Sequence, residues 1–216
     1  MPSATIVSFN IGDLPWPFKK PELAAIPDRI EKIRAGLVAY DYRLIQEDWF
    51  QRIDGHACGH WYWLPSGLTL GAPAAHPLAN DSCTRHRHAG FTSGDVLARK
   101  GWQMATSQGV FFAHTHLDAS DADWSYRQEQ AQDIRNSLPA AGPLVLGGDF
   151  NTENKVERAW MDSKFAEIGM ARIPIVTNKG KDHLYTRGLT TLAFGEDAAL
   201  SVLSDHPAVW ASVEWM

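Results

Sequence analysis

Pro143-Leu144-Val145-Leu146-Gly147-Gly148-Asp149-Phe150-Asn151 decides how the rest of the chain is read. The apolar run has the composition of a buried strand, and two glycines then deliver Asp149 and Asn151 at its end. A lone Asn after a strand is ordinarily a turn residue. An apolar strand handing over both an acid and an amide is uncommon by chance. Similar endings recur along the chain. Thr5-Ile6-Val7-Ser8-Phe9 reads as a strand, within 4–9, that ends at Asn10, and Leu44-Ile45 begins one that ends in Gln46-Glu47-Asp48. His114 and His116 close an apolar strand at 110–115, and Asp205-His206 precedes a last strand at 207–213. Polar groups on the ends of separate strands can converge on one rim of a sheet, where ligands of α/β proteins commonly sit.

Between these strands the pattern turns helical. Ile26, Ile30, Ile33 and Leu37 fall at i, i+4, i+7 and i+11, which predicts a helix that tolerates Pro27 in its first turn. Trp124, Ala131, Ile134 and Leu138 mark a second helix. Thr152 is the expected cap of a third, carrying Val156, Trp160 and Phe165. Shorter strands are expected at 183–187 and 189–194. The stretch 54–92 is the least regular; it holds His56, His60, His76, His86 and His88, and a strand is expected at 61–64 through Trp61-Tyr62-Trp63. With no repeat, low-complexity run or linker, mixed strands and helices imply one α/β or α+β domain over residues 1–216.

Composition sets the outer bounds. Hydrophobic residues make up 44% and charged residues 21%, which is globular rather than disordered. Twenty basic against 25 acidic side chains leave a net charge of −5, so no basic footprint points to nucleic acid. No apolar run is long enough to span a bilayer as a helix. Cys58 and Cys83 are too few for a thiolate zinc site, and whether they pair is open. The N-terminus lacks a charged segment followed by an apolar one, so a cytoplasmic place is expected, with a secreted protein that has lost its leader as the alternative.

The polar set at the strand ends has a definite chemistry. Oxygen donors from Glu and Asn, without thiolates, suit a hard cation such as Mg²⁺ or Mn²⁺. Imidazoles beside a phosphate can carry charge or a proton near neutral pH, and an Asp-x-Asn pair can orient a water. Together they fit hydrolysis of a phosphate ester.

Six pieces follow one another in order: Ser8-Phe9-Asn10-Ile11, Leu44-Ile45-Gln46-Glu47, Thr115-His116-Leu117, Gly148-Asp149-Phe150-Asn151, Lys181-Asp182-His183-Leu184 and Ser204-Asp205-His206-Pro207. In this order they resemble the endonuclease/exonuclease/phosphatase superfamily, the deoxyribonuclease-I-like fold, over essentially the whole chain. The resemblance implies a four-layer α/β (α+β) sandwich of two packed mixed β-sheets flanked by helices, with the site in the loops at one edge. It implies that Glu47 binds Mg²⁺ (Mn²⁺ as a substitute), with Asn10 and Asp205 as direct or water-bridged partners. Asp149 then positions or deprotonates the attacking water, and Asn151 orients it. His206 holds the phosphate or serves as the base, with Asp182 behind its ring, and His116 contacts the phosphate from the other side. His114 stands where many relatives carry Asn.

Asp95-Val96-Leu97-Ala98-Arg99-Lys100-Gly101 is similar to a stretch of the neutral sphingomyelinase-like branch. There Lys100 would reach a phosphate or be switched by pairing with Asp95. The implied activity is a metal-dependent phosphodiesterase acting on a small or lipid-headgroup phosphodiester. The alternative is a nuclease with the same site, and a non-catalytic binding module is disfavoured because no ligand is missing. No obligate protein partner is implied.

Overall fold

A computed structural model describes residues 1–14, 18, 20–58, 67–86, 100–152, 154–177 and 180–216. The strand expected at 61–64, and with it Asp95, His60 and His88, lies outside the described residues.

The elements run β1 (Ser3–Asp13), α1 (Pro21–Ala24), α2 (Arg29–Leu37), β2 (Tyr42–Asp48), β3 (His56–Ala57), β4 (Thr69–Gly71), β5 (Ala79–Arg85), β6 (Gly101–Ser107) and β7 (Val110–His116). After them come α3 (Trp124–Ser137), β8 (Leu144–Asp149), α4 (Lys155–Ala166), β9 (Ala171–Arg172), β10 (Asp182–Arg187), β11 (Thr190–Asp197), α5 (Ala198–Ser201) and β12 (Ala208–Glu214). Two six-stranded sheets form, ordered β11-β12-β1-β2-β4-β3 and β5-β6-β7-β8-β10-β9. Each holds one parallel pair, β1 with β2 and β7 with β8, and is otherwise antiparallel.

Alternation along the strands builds four layers. Ile6, Tyr42, Leu44, Phe112, Val145, Leu184 and Val209 meet between the sheets. On the outer face of the first sheet, Val7, Phe9 and Ile45 pack on Ile30, Ile33 and Leu37 of α2 and Leu200 of α5. On that of the second, Leu144, Leu146 and Tyr185 pack on Ala131 and Ile134 of α3 and Met161 and Phe165 of α4. The four-layer sandwich is the architecture the motifs imply.

A Cβ on Gly147 would lie 2.6 Å from the Leu44 side chain and 2.8 Å from that of Leu184, so both would have to shift to admit it. Gly148 has φ 149°, and a Cβ there would strike the Thr115 carbonyl at 2.1 Å. Gly147 thus leaves room for side chains packed between the sheets, and Gly148 lets β8 run close to β7 just before Asp149.

Two local expectations change. Pro27 precedes the second helix, which begins at Arg29 after Asp28 at φ 51°. α4 is capped by Asn154, whose Oδ1 accepts from the amides of Val156 and Glu157, not by Thr152. The hydroxyl of Thr152 is already used, donating to the Gly180 carbonyl and meeting His183 Nε2 at 2.8 Å. The open question about the cysteines is answered by a Cys58–Cys83 disulfide, which links the chain just past β3 of one sheet to β5 of the other. β11 lies at the open edge of the first sheet, with Leu192 and Phe194 exposed and a register shift between Thr191 and Ala193.

Candidate active site

Asn10, His116 and Asp149 fall at the last between-sheet positions of β1, β7 and β8, and Asp182 at the first of β10, so all four reach one rim. In the second sheet His116 pairs in register with Asp149, and Asp149 with Asp182. In the first, Asn10 is opposite Gln46, directly before Glu47. The rim residues therefore form a short row on each sheet, face to face.

Hydrogen bonds join the rows. Asn10 Nδ2 donates to Asp149 Oδ2 at 3.1 Å, and Asn10 Oδ1 accepts from the Gly12 amide. His116 Nε2 lies 3.4 Å from Asp149 Oδ2 and 3.8 Å from Glu47 Oε1, between the two carboxylates. His206 Nδ1 is 2.9 Å from Asp182 Oδ2 and 3.6 Å from Asp149 Oδ2. Asn151, at φ 48°, donates its amide to Asp149 Oδ1 and its side chain to the Leu117 carbonyl, which also accepts from Lys100 Nζ.

Electrostatics divides the carboxylates. Burial by itself would raise the Asp149 carboxyl, but His206, His116, Lys100 and the Asn151 amide outweigh it and hold it well below the usual range. For Glu47 burial prevails and raises it, against Lys20, Lys100, His206 and a hydrogen bond from Asn10. Burial would lower His206, yet Asp149, Asp182 and Asp205 lift it to about 9. Its ring is an imidazolium at neutral pH, held by Asp182 through Nδ1, which leaves Nε2 as the ring atom free for another contact.

Asp205 reaches the rim beside Lys20, whose Nζ lies 2.5 Å from its Oδ2. Lys20 was not foreseen: it sits in a proline-punctuated loop where no periodicity marks it. Ser204 was foreseen only as part of a motif. Its hydroxyl donates to the Asn10 carbonyl at 2.6 Å and accepts from the His206 amide at 3.2 Å, tying β1 to the last loop.

His114 lies away from the rim. It shares a face with His116 but lies one step deeper, opposite Gly147. Its Nε2 meets Gln103 Oε1 at 2.9 Å and its Nδ1 meets Gln46 Nε2 at 3.4 Å, and burial pushes its pKa down to about 3. It is a neutral ring locked between the sheets and offers no atom to a phosphate at the rim.

Two sets of groups deserve comparison as cation ligands. Asp149, Asp182 and His206 bring one donor atom each within 4.8 Å of one another. There, however, the Nδ1 of His206 is committed to Asp182. On the opposite side Glu47 Oε2 is buried with no hydrogen-bond partner among the described residues. A buried carboxylate oxygen left in that state is costly unless a cation completes it. Asn10 hydrogen-bonds Glu47, and an oxygen donor of this kind suits a hard divalent ion.

No protein-family model and no curated protein sequence matches the chain. Solved structures do. A humanized D. rerio TDP2 carrying 14 mutations superposes with a TM-score of 0.72 at 12% identity, covering 98% of this chain and 99% of that one. Sphingomyelinase C from Streptomyces griseocarneus gives 0.67 at 15% identity, over 98% and 99%. An endonuclease/exonuclease/phosphatase from Beutenbergia cavernae gives 0.66 at 16% identity, over 99% and 72%. The protein has the deoxyribonuclease-I-like fold of the endonuclease/exonuclease/phosphatase superfamily. Its solved neighbours include both a sphingomyelinase and a protein crystallised with a single-strand DNA product, TDP2. Among the described residues no helix is long and apolar enough to cross a membrane.

Proposed function

We propose that the chain, as one catalytic domain over residues 1–216, is a divalent-metal-dependent hydrolase. Its substrate is a small-molecule or lipid-headgroup phosphodiester, cleaved by in-line attack of water. The observation that supports this most is the meeting of Glu47 with Asp149 across His116 and Asn10, beside the His206–Asp182 pair. Two carboxylates whose pKa values are pushed in opposite directions thus stand on either side of the His116 ring.

Glu47, with Asp205 and Asn10, would hold Mg²⁺, or Mn²⁺ in its place. Such a cation, when bound, polarises a phosphoryl oxygen and offsets charge on the leaving oxygen. The rest is carried by the chain. Asp149, held anionic by two imidazoles, is a weak base, so its task is to orient the attacking water together with Asn151. His206, fixed by Asp182, donates from Nε2 to the phosphoryl group and counters the charge that builds there. His116 does the same from the Glu47 side, and Lys100 adds positive charge at the Leu117 carbonyl. The Cys58–Cys83 bridge supports a working place where thiols are oxidised rather than the cytoplasm.

A nuclease reading has one observation behind it, the superposition on D. rerio TDP2 in complex with single-strand DNA product at a TM-score of 0.70. Both readings expect Glu47→Gln and Asp149→Asn to abolish turnover of bis-p-nitrophenyl phosphate. A panel of sphingomyelin, that small diester, RNA, and nicked and single-stranded DNA, each with Mg²⁺ and with EDTA, separates them. Cleavage of nucleic acid without action on lipid or small diester would overturn the first reading in favour of the second.

A further inference from the structure

Glu47 stands at φ 55°, in the left-handed region. That conformation is strained for a side-chain-bearing residue and persists only where its surroundings impose it. β2 is a strand up to this point, and the Glu47 carboxylate lies 3.8 Å from His116 Nε2. The groups that impose this reversal are found one residue further on.

Asp48 is 1% exposed, and its carboxylate is fully engaged with the chain leaving β2. Oδ1 accepts from the Arg52 amide at 2.7 Å, and Oδ2 accepts from the Ile53 amide at 3.2 Å and the Thr69 hydroxyl at 2.8 Å. Its own amide donates to the Gly67 carbonyl at 3.0 Å, and its carbonyl accepts from Gln51 at 3.1 Å. Gly67 lies against the same reversal: at φ 68°, a Cβ there would be 3.3 Å from Glu47 Cα and 3.0 Å from the Trp49 ring. Arg52 is held at a second point, its guanidinium 3.4 Å from Asp13 at the end of β1. Asp13 and Asp48 are opposite each other in the β1–β2 register, just past the shift that follows Asn10. Asp48 therefore ties the end of β2 to β4 and to the loop that closes on β1.

We propose that Asp48 is the positioning residue of Glu47: locked onto Arg52, Ile53 and Thr69, its carboxylate holds the reversal that aims Glu47 into the site. It touches neither substrate nor cation and acts through the backbone. The proposal rests on the reading of Glu47 as a metal-binding carboxylate. Loosening the clamp lets Glu47 relax to an extended conformation, and the cation then loses its principal ligand.

The test is Mn²⁺ binding by the full chain without substrate, followed by electron paramagnetic resonance, for wild type, Asp48→Asn, Thr69→Val, Thr69→Ser and Glu47→Gln. Circular dichroism at the same temperature verifies that each is folded. Asp48→Asn and Thr69→Val are expected to weaken Mn²⁺ binding about 10-fold or more, the usual cost of losing a group that orients a ligand. Thr69→Ser, which keeps the hydroxyl, is expected to bind as wild type does. Thr69→Val leaves the net charge unchanged, so weakening there is not an electrostatic effect, and it decides the matter should Asp48→Asn fail to fold. Wild-type affinity in folded Asp48→Asn and Thr69→Val, with binding lost in Glu47→Gln, would overturn the positioning role alone. Wild-type affinity in Glu47→Gln would instead remove the metal-ligand reading, and this proposal with it.

Discussion

At the scale of single residues, the site is a contest between burial and charge. His206 shows it most sharply, because three carboxylates overcome the burial of its ring. Asp182→Asn removes the one in direct contact, so the His206 titration should move from about 9 toward its ordinary value, as read by NMR of the ring protons. Turnover should fall about 100-fold or more, the scale of a lost acid–base partner; an unmoved titration would show that Asp182 is not what holds the ring. The sign of the linkage follows. A folded-state value raised above the unfolded one gives stability that is complete below about pH 6.5 and lost as the pH climbs through 9. Most of these residues were legible in the sequence because each ends an apolar strand within a short motif. The depth of His114 was not legible, because a period of two gives the face a residue occupies and not its depth. His114 and His116 share that face, and only the register, Gly147 against Asp149, separates interior from rim. Lys20 was illegible because its partner Asp205 lies 185 positions away.

At the scale of elements, strands marked by apolar runs and turn residues, such as β1, β2, β7, β8, β10, β11 and β12, were legible, whereas β3, β4, β5, β6 and β9, short or polar, were not foreseen. The arrangement of the strands was not legible either. β10 and β11 are neighbours in the chain yet belong to different sheets, and β8 pairs with β10 after passing α4. Helix starts were ambiguous because several residues near 152 can accept amide hydrogen bonds, and tertiary contacts choose among them. Thr152 turns to Gly180 and His183, so Asn154 caps. Asn154→Ala should then cost about 1 kcal/mol in urea unfolding, the usual value of a cap. Thr152→Val, by contrast, should perturb the His183 ring signals while leaving the helix start intact. Equal losses of helix end protection in both variants, read by amide exchange, would contradict this division.

At the scale of the whole molecule, imidazoles enclosed within the sandwich make it sensitive to acid. His114 and His183 are held neutral, each lowered to about 3 chiefly by burial. Since the unfolded chain takes up their protons first, their contribution is complete above about pH 6.5 and is lost as the pH falls toward 3. Each can add up to about 1.4 kcal/mol per pH unit to the acid limb of the stability curve. Urea midpoints between pH 7 and 4 should fall steeply, and His114→Gln should flatten that limb; an unchanged slope would mean that the ring is already charged in the native state. The irregular pairing at the outer margin of the first sheet has a colloidal consequence. An even, unpaired ladder bearing Leu192 and Phe194 would be a template on which further copies could stack without end. The extra residue between Thr191 and Ala193 breaks the even spacing that such growth requires, so light scattering of Leu192→Thr is expected to match that of wild type.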